Sequence, residues 1–359
     1  MRPPAATPDR CGRNARDTLA GRYRAFVARR IGLMALLGCT LLGVIAVDIA
    51  TGPSGLPLRD VWAGLTDPAS LPDAQRVILW DVRLPYAAMA VLVGASLGLA
   101  GAQMQTVLNN PLASPFTLGL SAAAAVGASA VFVSGISLVA FGENLAVPLG
   151  AFVAASGATL LIQWLAWRQG ASVENVVLFG IALLFTFEAL LWLMQYLADS
   201  NALQQIVFWT MGSLGRATGS RIAIVAVVFA ACAAWSLRDV WALTALRAGD
   251  DQARSQGVAV ERLRLITLMR VSVLTATALS FVGTIGFVGL VGPHIARLLV
   301  GEDHRFLLPG AALAGALMLS VASILSKAII PGVVLPIGIV TALVGVPVFL
   351  ALVLGQPRR

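Results

Sequence analysis

The sequence predicts an all-α polytopic membrane protein of about ten transmembrane helices, and three observations carry that expectation. Only 12% of the 359 residues are charged and 58% are hydrophobic, whereas soluble domains average about 25% charged. Several apolar runs reach about 20 residues, enough at 1.5 Å rise per residue to cross the ~30 Å hydrocarbon core. The runs are unbroken, without the roughly ten-residue alternation of an outer-membrane barrel strand.

Residues 1–30 are polar and Arg-rich, and the first apolar run covers 31–50. The basic head is too long and the run too near span length for a cleavable signal peptide. This reads as a first transmembrane helix with its tail in the cytoplasm. Further runs cover roughly 84–108, 116–141, 145–167, 176–197, 222–237, 265–300, 307–330 and 335–354. The run 265–300 is too long for one crossing. Inside it, "GTIGFVGLVGP" spaces glycines every third residue before Pro293, a pattern that breaks or kinks a helix. The choice is therefore between nine and ten crossings.

Basic residues concentrate on the cytoplasmic side of membrane proteins. Ten crossings from an inside tail leave only Arg59, Arg76, Arg83, Arg216, Arg221 and Lys327 outside. Nine would move Arg297, Arg305, Arg358 and Arg359 outside, so ten fits better. Both termini are then cytoplasmic. The expected organisation is a tail over 1–30, a membrane domain over 31–354 and a second tail over 355–359.

Two outward connections have substance. Residues 51–83 carry four prolines and end in "WDVRLP"; residues 198–221 read "ADSNALQQIVFWTMGSLGRATGSR". The second suits a short interfacial helix anchored by Phe208 and Trp209. "NNPLASP" at 109–115 has the steps of a tight turn. One inward connection stands out: "ALRAGDDQARSQGVAVERLR", residues 245–264, is a charged island in an apolar chain.

Ionisable groups inside a membrane are costly and mark function by default. Glu188 lies deep in the fifth span and shares a helical face with Trp192, Gln195 and Asp199. Two readings stand: a face lining a water-filled path, or a hydrogen-bonded carboxyl stapling two helices. His294, after Pro293, reads as packing near a helix end.

Missing motifs narrow the chemistry. Lys327 is the only lysine, and no G-x-x-x-x-G-K-[ST] loop exists, so the chain has no phosphate-loop nucleotide hydrolysis of its own. Two histidines and three scattered cysteines, Cys11, Cys39 and Cys232, form no metal or disulfide pattern. No cofactor, metal, catalytic residue or nucleic-acid partner is expected.

Four blocks together resemble one family. They are "RLPYAAMAVLVGASLGLAGAQMQTVLNNPLASPFTLG", "FWTMGSLGRA", the charged island, and "GFVGLVGPHIARLLVGEDHRFLLPGAALAGALMLS" continuing to "LPIGIVTALVGVPVFLALVL". In this order the chain, from about residue 55 to 354, is similar to the permeases of bacterial ABC importers for iron–siderophores, haem and cobalamin. The resemblance implies ten helices per subunit and a second permease subunit, either another copy or a paralogue. It also implies separate cytoplasmic ABC ATPases and a periplasmic or lipoprotein binding protein that delivers a metal chelate. The implied location is the bacterial cytoplasmic (inner) membrane.

The resemblance assigns residues as well. The island, within 238–264, corresponds to a coupling loop of two short helices that docks on the ATPase. Gly249, Asp250, Ala253, Gly257 and Val258 match it, Asp251 and Arg254 lie within it, and Gln256 replaces a common leucine. Arg83 and Lys327 fall where outward basic residues pair with the binding protein's glutamates. Tyr86 stands where a second arginine is common, and Leu335 where a glutamate is. Ser172, Val173 and Glu174 fall at the cytoplasmic gate, and Glu188 and Gln195 on the span along the pathway. A ferric siderophore is the expected cargo. The rival readings are an ion-coupled secondary transporter with Glu188 as proton carrier, and a membrane scaffold or receptor without transport.

Overall fold

The computed structural model describes residues 9–140, 143–168 and 172–354. Helix α1 (Asp9–Ala50) is 42 residues long, about 63 Å at helical rise. It therefore runs on from the first span through the segment expected to be only a polar tail. The amphipathic α2 (Leu58–Thr66) follows. Then α3 (Asp73–Val77) continues through a π-helical turn, Ile78–Arg83, into α4 (Leu84–Val107). The second span thus begins at Asp73, not at residue 84. Its first turns carry Asp73, Arg76, Asp81 and Arg83, and those charges hid the helix from an apolar-run criterion.

Next come α5 (Leu120–Ser134), α6 (Ala146–Arg168), α7 (Val173–Leu197), α8 (Ser200–Thr210) and α9 (Gly219–Arg238). Val139–Ala140 and Glu143–Asn144 pair as a minimal antiparallel ladder between α5 and α6. The segment that leads into and through the island folds as α10 (Val240–Leu246), at its threshold, and α11 (Asp250–Ser255), within it. The last four helices are α12 (Val260–Val282), α13 (Val288–Val300), α14 (His304–Ala328) and α15 (Ile337–Leu354). Among the described residues, seven helices are long and apolar enough to cross a membrane, and α5, α13 and α15 contribute shorter apolar segments.

The run 265–300 divides where its glycines suggested, between α12 and α13. Helix α13 has 13 residues, about 20 Å, so non-helical backbone lies at membrane depth. That is tolerated only where protein covers it. Here Ser213 N donates to Val282 O (2.7 Å), Ile337 N to Gly212 O (3.1 Å) and Gly338 N to Met211 O (2.9 Å). The break after α12, the "MGS" turn after α8 and the start of α15 therefore satisfy one another. A Cβ on Gly283 would lie 2.2 Å from Trp209 O, so that junction requires glycine.

Helices α4, α12 and α14 form the core: 72%, 78% and 67% of their most apolar stretches are buried, against 17% for α1, 11% for α7 and 17% for α9. Small residues set the central seam. A Cβ on Gly98 would lie 2.2 Å from Ala311 O, and one on Gly101 would lie 1.7 Å from Gly289 O. Backbone-to-backbone packing of this kind is how membrane helices gain contact without a hydrophobic drive.

Candidate functional site

The end of the bundle that carries the island is called the inner end, as the basic-residue asymmetry leads one to expect, and the opposite one the outer end. Helix α11 has six residues, too few to stand alone. Ala253 and Val258 hold it down: both are buried in the cluster that contains Leu243, Leu246 and Leu263. Val258 N donates to Ala253 O at 3.0 Å. Gly249 (φ 112°) and Gly257 (φ 82°) flank the helix with nothing near a would-be Cβ, so backbone freedom alone explains these glycines.

The island's charges divide by direction. Asp251 and Gln256 face water, and Arg254 bridges Asp251 (3.1 Å) and Glu261 (2.7 Å) at the surface. Asp250 turns inward: Arg264 Nη2 donates to its two carboxylate oxygens at 3.1 and 3.0 Å. Arg264 is buried, and its Nε donates to Val107 O (3.0 Å) at the end of α4.

The foot of α4 collects two more arginines. Arg247, between α10 and α11, grips Glu302 with two bonds (3.1 and 2.9 Å) and donates to Asn109 Oδ1 (2.8 Å). Arg297 of α13 donates to Gln105 Oε1 (3.0 Å). The bond from Arg247 holds the Glu302 carboxyl below its ordinary range, and a bond from Arg305 does the same for Asp303. Between these arginines, Thr106 Oγ1 meets buried His304 Nε2 at 2.7 Å, and Thr244 Oγ1 lies 3.2 Å from its Nδ1. A helix C-terminus leaves four carbonyls unpaired and carries partial negative charge, which favours cations there. "NNPLASP" supplies the turn: Asn109 adopts φ 42°, and Leu112 N donates to Asn110 Oδ1 at 2.9 Å.

One helix turn deeper, buried Arg270 donates to Gln103 Oε1 (3.0 Å) and to the Asp239 carboxylate. Ser236 also donates to Gln103. Sequence reading missed Arg247, Arg264, Arg270, Glu302 and His304. A hint was available in the three arginines, Arg262, Arg264 and Arg270, in the first half of α12.

At the opposite, outer end lie Arg83, Tyr86 and Lys327. All three are buried rather than presented as free surface groups. The cause is α1, whose last carbonyls end in a low-dielectric setting. Lys327 Nζ donates to Asp48 O (2.6 Å), and Arg83 Nη1 donates to Ile49 O and Ala50 O (2.9 Å each). Lys327 also pairs with the Asp48 carboxylate at 2.7 Å, while Ser323 donates to the same oxygen. Tyr86 presents its ring to Lys327 at 5.1 Å. Asp48, fully buried, is thus a second carboxylate inside a span besides Glu188. Its place near the outer end of the first run, matching Lys327 near the outer end of 307–330, was the available signal.

Arg83, Tyr86 and Lys327 line a cavity of about 530 Å³ with Ser54, Phe208 and Arg216. Arg216 also faces a neighbouring cavity of about 360 Å³ with Arg221, Gln204 and Trp209. Burial and the nearby Arg221 charge lower the Arg216 pKa.

The gate residues lie at the start of α7. Ser172 Oγ accepts from Asn175 N at 3.2 Å and so caps the helix; Val173 is half-buried and Glu174 exposed in the first turn. Residues 169–171 of that connection lie outside the described residues. Glu188 and Gln195 are half-buried on α7, the least covered long helix. Among the described residues no hydrogen bond or ion pair joins Glu188 to another helix, so the structure holds no staple there. Asp199, expected on the same face, instead caps α8 by accepting from Ala202 N at 2.7 Å. His294 is half-buried inside α13, away from its ends.

The chain is 35% identical to the hemin transport system permease protein HmuU of Yersinia pestis, over 89% of this chain and 94% of that one. It is 36% identical to the vitamin B12 import system permease protein BtuC of Salmonella paratyphi A, over 79% and 85%. A solved ABC transporter described as metal-chelate type, in an inward-facing conformation, superposes with a TM-score of 0.78 at 28% identity, covering 91% of this chain and 100% of that one. Residues 39–355 match the FecCD transport family throughout, and the chain belongs to that family.

Proposed function

We propose that this chain is the permease subunit of an ATP-driven importer for a ferric siderophore or a related metal chelate. It forms the membrane pathway with a second permease subunit, either a copy or a paralogue. It takes its power from separate ABC ATPases and its cargo from a periplasmic or lipoprotein binding protein. It sits in a bacterial cytoplasmic membrane with both termini inside.

One observation carries the reading: two short helices, α10 and α11, stand at the island end and are tied by side chains into the transmembrane core. A chain without a nucleotide site has no other evident use for such a handle. The haem and vitamin B12 relatives support a bulky chelate as cargo. Binding proteins confer specificity in this reading, so the nearly uncharged pathway suits passage rather than tight binding. At the outer end the cavity bounded by Arg83, Tyr86 and Lys327 is the landing site for the binding protein. Since Arg83 and Lys327 are already committed to α1, their docking role there is one of shape more than free charge. Ser172, Val173 and Glu174 form the inner gate, and Glu188 and Gln195 face the pathway.

The test is uptake of radiolabelled ferric siderophores, haem and cobalamin by proteoliposomes holding the complete transporter. Uptake of one of these that requires ATP and the binding protein supports the proposal. Uptake by the permease alone, driven by a pH gradient and lost in Glu188→Gln, would replace it with ion-coupled transport.

A further inference from the structure

We infer that the foot of α4, residues 105–109, receives the thrust of the coupling helices, and that Arg264 is the positioning residue that joins them. This rests on the reading of α10 and α11 as the ATPase handle.

The backbone alone is a poor transmitter at this point. Gly249 and Gly257 bracket α11 in left-handed conformations, with open space around each. Each is a place where the chain can pivot. A push on α11 therefore reaches the spans through side chains. The apolar contact of Ala253 and Val258 holds α11 down but has no direction. The bond from buried Arg264 to both oxygens of Asp250 does, because a planar guanidinium fixes angle as well as distance. The same guanidinium holds Val107 O through Nε, so one rigid group touches α11 and α4 at once.

A parallel path confirms the destination. Arg247 leaves the connection between α10 and α11 and reaches both Asn109 and Glu302. Arg297, 3.6 Å from Glu302 in turn, holds Gln105. Three arginines from three segments thus end on Gln105 and Val107 in the last turn of α4 and on Asn109 just beyond it. From there the route is stiff. Helix α4 meets α14 and α13 backbone to backbone at Gly98 and Gly101, and close-packed interiors transmit displacement rather than absorb it. A second arrangement of the foot would carry α4, α13 and α14 with it as a body.

The experiment uses the purified transporter with its ATPase subunits, in proteoliposomes, with its binding protein as the probe. If the inner joint and the outer end move as one body, a binding protein docking outside should change ATP hydrolysis inside. For Arg264→Gln we expect the ATPase to co-purify and basal hydrolysis to stay within about twofold, while stimulation by the binding protein falls about fivefold or more. Asp250→Asn, at a half-exposed site, should lower the stimulation likewise and guards against misfolding of the first variant. The exchanged pair Asp250→Arg with Arg264→Asp should regain part of the stimulation, which a merely structural role would not produce. Asn110→Cys with Asp251→Cys, spin-labelled after Cys11, Cys39 and Cys232 are replaced by serine, should give one narrow distance in the parent and a broadened one in Arg264→Gln. Full stimulation and an unchanged distance in both single variants would overturn the inference. Absence of ATPase from the unmutated preparation would instead overturn the reading on which it rests.

Discussion

The two ends of this bundle solve the same problem in opposite ways. Each has a helix whose last carbonyls need donors, α1 outside and α4 inside, and each receives basic side chains from distant segments. The outer set is closed: Arg83, Lys327 and Asp48 are all buried and link α1 to α4 and α14 directly. The inner set is half open, because its arginines are partnered by Asp250 and Glu302, which reach water. A buried ion pair is costly to break from one side, whereas a half-exposed one is cheap to rearrange. The outer end is built as a fixed staple and the inner end as a joint.

The largest expected effect tests the staple. Lys327→Met leaves the buried Asp48 carboxylate alone and should destabilise the protein by about 3–5 kcal/mol, read as a lower unfolding temperature in detergent. Adding Asp48→Leu should recover most of the loss, since an apolar replacement of both partners can be near neutral. A harmless single substitution would remove the distinction between the two ends.

The seam between them ranks next. Gly98→Ala places a Cβ 2.2 Å from Ala311 O and should cost about 1–3 kcal/mol by forcing α4 and α14 apart, with coupling reduced in parallel. Gly249→Ala meets no neighbour but keeps a strained φ, so roughly 1 kcal/mol is expected, measured by the same melt. Asp251→Asn touches only exposed Arg254 and should leave stability within about 0.5 kcal/mol. Its effect, if any, belongs to ATPase binding measured by co-purification.

The inner carboxylates also set a pH window. The pKa values of Glu302 and Asp303 are depressed in the folded protein. Their stabilisation is therefore fully present above the unfolded carboxylate values of about 4 and is lost as pH falls through the folded values. Coupling should be flat from neutrality down to about pH 5 and decline only below it. A change centred near pH 6.5 would implicate a histidine instead.

Much of this was legible in the chain. Apolar run length located nearly every span, and glycine spacing before Pro293 located the break between α12 and α13. Charge density marked the segment that holds α11, whereas α10 carries no charge and only the family resemblance implied a pair of short helices there. Helix onset at Asp73 was not legible, because charged residues in a first turn look like a loop to a hydropathy criterion. The partners of single charges were not legible either. Asp48 and Lys327 lie at the ends of different spans and meet only through helix packing. Asp250 and Asp251 are indistinguishable as neighbours in sequence, yet one faces Arg264 and the other water. The family resemblance located Arg83 and Lys327 as important positions, and the structure shows them holding the end of α1.

The most direct measurement compares Arg264→Gln with Asp48→Asn in the same reconstituted transporter, each scored for unfolding temperature and for stimulation of ATP hydrolysis by the binding protein. A crossed result is expected. Arg264→Gln should keep its melt close to the parent and lose stimulation, whereas Asp48→Asn, buried behind the outer cavity, should melt earlier and keep stimulation in the fraction that remains folded. If Arg264→Gln retains full stimulation, or both variants lose stability and stimulation in the same proportion, the inner end is no joint and the account is wrong.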